Sequence, residues 1–130
     1  MHIRMITPAP AHSRKGNRIT ALRWARMLRQ LGHRVTLSQS YAGESCGLLV
    51  ALHAKRSHAS IVAYRQTCPD APLIVVLTGT DVYQDIHVDD GAMESVAMAD
   101  RLITLQPLAI GELPAQHRAK ARVILQSVPP

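Results

Sequence analysis

Aromatic side chains are scarce in this sequence: one Trp, three Tyr and no Phe among 130 residues. An RNA-binding module that stacks bases on aromatic rings loses most of its material. The two cysteines, Cys46 and Cys68, cannot build a disulfide framework and stand in no CxxC or paired Cys/His metal spacing. Such thiols fit a reducing cytoplasm. No apolar run approaches the ~20 residues that cross a bilayer, and the N-terminal MHIRMITPAP lacks the unbroken apolar stretch of a signal peptide. A soluble, cytoplasmic protein without a membrane partner is expected. Length leaves room for one domain, and with 47% hydrophobic residues a chain of this size buries roughly two thirds of its unfolded surface.

Acidic residues are also scarce, but only in the first half. Residues 1–65 hold eleven Lys/Arg and one acid, Glu44, whereas residues 66–130 hold four Lys/Arg and eight acids. The net +6 therefore conceals a cationic first half and an anionic second half. Such a dipole points to an anionic ligand or partner, or to a plain solvated surface.

What is present is a rhythm. Apolar, β-branched runs at residues 2–6, 33–37, 47–52, 72–77, 101–105 and 121–125 read as strands, and the middle two are apolar at almost every position, as in parallel strands covered on both faces. Helical stretches separate most of them. The clearest spans about 17–31, with Ala21, Leu22, Trp24, Ala25, Leu28 and Leu31 on one face, Arg18, Arg23, Arg26 and Arg29 opposite, and Gly32 placed to end it. Others are expected at 57–67 with Ser57 as N-cap, from 89 or 90 to 98, and, short and interrupted, within 107–120. The pattern predicts an α/β domain with a Rossmann-like, doubly wound parallel sheet, its first three strands ordered 3-2-1 or 2-1-3.

Ligands of such sheets bind beyond the carboxyl ends of the strands. The loop after the first strand, residues 7–17, fits neither G-x-G-x-x-G nor G-x-x-x-x-G-K-[ST], which excludes a dinucleotide fingerprint and a P-loop there. It offers Ser13, Arg14, Lys15, Gly16, Asn17 and Arg18 at a helix start, an arrangement that suits an anion or, more blandly, a turn, a cap and two solvated cations. The loop after the third strand, His53 to His58, is again cationic, with Lys55 and Arg56; His53 reads as a ligand-facing or a satisfied core histidine. After the fourth strand, Thr78, Gly79, Thr80 and Asp81 suit sugar or phosphate groups, or cap a turn at Val82 and Tyr83. No metal-ligand spacing, catalytic triad order or paired-carboxylate pattern stands out, and no metal or cofactor is expected.

The segments TPAP (7–10), SRKGNR (13–18), TALRWA (20–25), LVALHAKRS (49–57) and LTGTD (77–81) together resemble the N-terminal half of the selenosugar synthases of selenoneine biosynthesis, GT-B glycosyltransferases related to family 4. The resemblance spans almost the whole chain. It implies metal-independent transfer of a sugar from a UDP-sugar to selenophosphate with formation of a carbon–selenium bond. It further implies that residues 1–130 are the acceptor-side domain, with the C-terminal nucleotide-sugar domain absent from this chain, so that the chain alone is expected to be inert and able to self-associate through the exposed interdomain face. On that reading Lys15, Arg18 and Arg56 hold selenophosphate or the donor diphosphate, Gly16 and Asn17 add backbone or amide contacts, Thr80 and Asp81 line the sugar region, and His53 is the catalytic candidate that orients the acceptor. The alternatives are a family 4-like glycosyltransferase with a carbohydrate acceptor and, from another class, a small basic nucleic-acid-binding α/β module.

Overall fold

Strand residues of this chain alternate between two apolar faces, and the computed structural model, which describes residues 1–8, 16–79 and 81–124, shows why. Strands β1 (His2–Ile6), β2 (Arg34–Ser38), β3 (Leu48–Leu52), β4 (Leu73–Leu77), β5 (Arg101–Thr104) and β6 (Ala121–Val123) form one sheet in the order β2-β1-β3-β4-β5-β6. All pairings are parallel. Ile6, Leu49, Ala51, Leu73, Val75, Leu77, Leu102 and Ala121 bury into one layer, while Ile3, Met5, Val35, Val50, Leu52 and Val76 bury into the other. A sheet buried on both faces needs helices on both. The fold is α/β, Rossmann-like and doubly wound, and the first three strands take the 2-1-3 order.

Helix α1 (Gly16–Gln30) covers the second layer, where Ala21 and Ala25 bury fully against the strands. Gly32 ends it in a left-handed conformation at φ +96°, where a Cβ would be strained. One expectation for this helix changes. Leu31 falls just past its end and is exposed. Arg29, exposed as its place on the outer face implies, also donates to the Val35 carbonyl at 2.8 Å.

The other layer receives α2 (His58–Thr67), α3 (Ile86–Val88) and α4 (Asp90–Met98). Asp89 caps α4, accepting the Ala92 amide at 2.8 Å, as acidic residues at that helix start imply. Ser57 does not cap α2. Its hydroxyl donates instead to the Leu52 carbonyl, fastening the loop to the end of β3. The expected helix within 107–120 divides into a 3₁₀ helix, Pro107–Glu112, and α5 (Ala115–Arg118), with Pro114 between them. A π-helical turn at Asp81–Asp85 has no counterpart in the sequence reading. Among the described residues no helix is long and apolar enough to cross a membrane.

Candidate functional site

Because β1, β3 and β4 are neighbours and parallel, the loops that follow Ile6, Leu52 and Leu77 leave the same edge of the sheet side by side. The chain reverses direction across the sheet between β1 and β3, which places a crevice there. Gly16, Asn17 and Arg18 open α1 at this edge. The first amide groups of a 15-residue helix have no partner within the helix and carry the positive end of its dipole. Ser13, Arg14, Lys15 and Thr80 lie outside the described residues.

Two polar atoms, one after β1 and one in the first turn of α1, are buried and have no partner among the described residues. Arg18 is half-buried and its Nε has no acceptor among them; Thr7, directly after β1, is fully buried and its Oγ1 has no partner among them. An unmade buried hydrogen bond costs about 1 to 3 kcal/mol. An acceptor-rich anion would satisfy them. Thr7 was not singled out from the sequence; a threonine placed directly after an apolar strand, at the carboxyl edge, is the signal that could have found it.

The loop after β3 is held from every side. His53 takes φ +78°, a left-handed conformation uncommon outside glycine. Its own amide donates to the Val76 carbonyl at 2.9 Å, its carbonyl accepts the Ser57 amide at 3.0 Å, and its Nδ1 accepts the Arg56 amide at 3.0 Å. Ser95 Oγ reaches across from α4 to the Ala54 carbonyl at 2.7 Å. Lys55 and Arg56 thus project into solvent from a fixed base.

His53 itself is 4% exposed. With Nδ1 accepting, the proton of its neutral ring is on Nε2, which faces Asp85 Oδ2 at 3.8 Å. Burial pushes its pKa below the ordinary value, against the pull of Asp81, so the ring is neutral near pH 7. Asp85 follows Asp81 by one helical turn, a spacing that could have flagged the pair.

Asp81 is fully buried and its carboxylate is taken up by backbone. Oδ1 accepts the amides of Thr78 at 2.8 Å, Gly79 at 2.9 Å and Val82 at 3.0 Å, while Oδ2 accepts the amide of Ala54 at 3.0 Å. Four amides around one carboxylate replace the water it lost. The residue holds the β4 loop in shape and ties it to the β3 loop. Thr78 and Gly79 are half-buried, and with Leu77, Val82, Tyr83, Leu105, Gln106 and Ala109 they line a cavity of about 50 Å³, enough for a water-sized group. Tyr83 closes its mouth through a 2.9 Å bond to Gln106 Oε1.

The edge therefore joins a helix N-terminus, a guanidinium nitrogen and a hydroxyl without partners among the described residues, and two exposed cations on a tied-down loop. Among the described residues no group of three or more His, Cys, Asp or Glu side chains could hold a metal ion. Chemically, the arrangement can bind and orient a phosphate-like anion; its ionisable carboxylates, Asp81 and Asp85, are buried. No protein-family model and no curated protein matches this sequence.

Proposed function

We propose that the chain is the acceptor-side domain of a GT-B glycosyltransferase of the selenosugar synthase type, and that the edge between β1 and β3 holds the anionic acceptor. In the reaction so read, the selenium of selenophosphate attacks the anomeric carbon of a UDP-sugar. The C–Se bond forms as the bond from that carbon to the UDP oxygen breaks, and UDP leaves with the electron pair. Selenophosphate is small and highly charged, and this edge offers cations and unpaired donors. The nucleotide-sugar site belongs to the partner domain of such enzymes, so that transfer needs both halves: positioning the reacting atoms is worth roughly 7 to 11 kcal/mol of a barrier.

What supports the reading is the buried Arg18 Nε in the first turn of α1, without a partner among the described residues, on a helix that follows β1 as the loop of Arg56 follows the neighbouring β3. A protein keeps such a donor unpaired at a cost, and an anion repays it. Calorimetric titration with inorganic phosphate and with selenophosphate tests it. Saturable binding that Arg18→Ala and Arg56→Ala each weaken by about 1 to 3 kcal/mol is the expected result. Absence of saturable binding, or affinity for DNA or RNA that collapses steeply with salt in its place, would reject it in favour of the basic nucleic-acid module.

A further inference from the structure

The turn after β3 closes through several hydrogen bonds, and one of them ends on an imidazole. The Ser57 amide donates to the His53 carbonyl at 3.0 Å, the His58 amide to the Lys55 carbonyl at 3.2 Å and the His53 amide to the Val76 carbonyl at 2.9 Å. The Arg56 amide finds its partner in a side chain instead. It donates to Nδ1 of His53 at 3.0 Å, three residues back, which is the bond an N-cap side chain makes at the opening of a helix. Capping groups are ordinarily the oxygens of Ser, Thr, Asn or Asp, which accept equally well on either side of neutral pH. An imidazole does not.

The ring is buried, with Nε2 carrying its proton toward Asp85 Oδ2 at 3.8 Å. Asp81 lies on the same π-helical turn as Asp85, and Lys55 and Arg56 sit on the loop itself. From α4, Ser95 reaches the Ala54 carbonyl, and Glu94 is engaged by His58 at 2.9 Å. Two carboxylates thus draw a proton to the ring while two cations and burial oppose it, and burial leads, so the ring is neutral at pH 7 and charges as the pH falls below 6.5.

Charging removes the acceptor. Both nitrogens of an imidazolium donate, so at Nδ1 one donor would face another, the Arg56 amide. Turning the ring over offers that amide a carbon-bound hydrogen, which accepts nothing. Nε2 gains meanwhile, as a charged donor facing the Asp85 carboxylate. The ring is held more firmly at one end and lets go at the other.

We infer that His53 is a proton-operated latch on the loop of Lys55 and Arg56: the neutral ring caps the turn and fixes its two cations, and the imidazolium releases the Arg56 amide and frees them. The base of the turn stays fastened in both states, because Ser57 Oγ holds the Leu52 carbonyl and Ser95 Oγ holds that of Ala54. Opening is confined to the residues that carry charge, which are exposed at the carboxyl edge. The latch is a property of this turn and holds whether or not the domain takes part in sugar transfer.

The full chain, isotope-labelled in nitrogen, reports ring and loop together. Long-range proton–nitrogen spectra give the tautomer and titration of the imidazole, and hydrogen exchange, corrected for its intrinsic pH dependence, gives the protection of each amide. The expected result is a proton on Nε2 at about pH 7.5 and, between there and about pH 5, an Arg56 amide that loses protection at least tenfold with the midpoint of the ring. The His53 and Ser57 amides, bonded to carbonyls, change less than twofold. His53→Asn supplies an oxygen that caps without titrating and tolerates the left-handed backbone, so it keeps the Arg56 amide protected throughout, whereas His53→Ala leaves it open at every pH. Asp85→Asn moves the ring and the Arg56 amide together to a lower midpoint. Circular dichroism checks that each variant is folded at each pH; if His53→Ala unfolds, the native chain and His53→Asn carry the test. A proton on Nδ1 near pH 7.5, a ring that stays neutral until the chain unfolds, Arg56 protection unchanged through the ring's titration, or a loss of protection that His53→Asn shares overturns the latch.

Discussion

Asp81 Oδ2 and the Ala54 amide meet at 3.0 Å, joining the loop after β4 to the loop after β3 across 27 residues of sequence. The other carboxylate oxygen holds three amides of its own loop. Asp81→Asn keeps the shape but turns an NH₂ group toward at least one of these donors. A loss of about 2 to 4 kcal/mol is expected, from a broken buried network and an unsatisfied donor. A urea midpoint unchanged from that of the native chain would show that the carboxylate does not organise the edge.

Gly79 isolates a backbone effect. At φ +140° it adopts a conformation open essentially to glycine alone, yet an added Cβ would meet nothing within 4 Å. Gly79→Ala should therefore cost about 1 to 3 kcal/mol through conformation only. Restoring stability with a D-alanine at this position in a semisynthetic chain checks that origin, because its mirror-image preference matches the angle.

His53 gives a pH window. Its folded pKa lies below the ordinary 6.5, through burial first. The unfolded chain takes up a proton as pH falls below 6.5 while the folded chain resists, so this contribution is complete above 6.5 and declines below it. His53→Asn, which tolerates the left-handed backbone, should flatten the fall in denaturant midpoint between pH 6.5 and 5.5 relative to the native chain. His2 and His117, also lowered by burial, contribute equally to both proteins and drop out of the comparison.

Arg65 gives a second. Its guanidinium donates to Asp100 Oδ2 at 2.7 Å and to the Met98 carbonyl at 2.9 Å, and also to the carbonyl of Ala71, so it ties the end of α2 to the starts of β4 and β5. Burial opposes ionisation of Asp100, but Arg65 and the Leu73 amide outweigh it and hold the carboxyl below its usual range. That contribution is present above the unfolded value of 3.8 and disappears as pH falls through the lower folded value. Arg65→Ala should cost about 1 to 2 kcal/mol at pH 7, and the difference from the native chain should shrink as the pH is lowered toward 3 in thermal melts.

The strands were legible because each is a short apolar run, and every one of the six lies within a residue or two of its expected limits. Parallel strands buried on both faces leave that signature whatever surrounds them. The loops were legible in composition and not in use. Lys55 and Arg56 read as cations and are exposed cations, but Asp81, read as a sugar-lining or capping residue, is committed to amides that only the folded backbone brings together. The π-helical turn escaped for a related reason: it depends on where the buried Asp81, Val82 and Asp85 settle, and no capping pattern announces it. In α1 the apolar stripe gave the right helix and the wrong burial. Periodicity marks which side chains share a face, and only the sheet decides how far that face is roofed, so Leu22 and Leu31, placed on that face, are exposed.

The strand order β2-β1-β3-β4-β5-β6 also fixes how the sheet can be assembled. As the chain is synthesised, β2 adds beside β1, β3 takes the other side of β1, and β4, β5 and β6 each extend the margin left by the strand before. No strand has to be inserted between two already paired. Growth by margin addition in the order of translation lets the first three strands, with α1, form contacts while the rest is still being made. Shortening the chain from its C-terminal side therefore peels the sheet one margin at a time, β6, then β5, then β4, before it reaches the β1/β3 boundary.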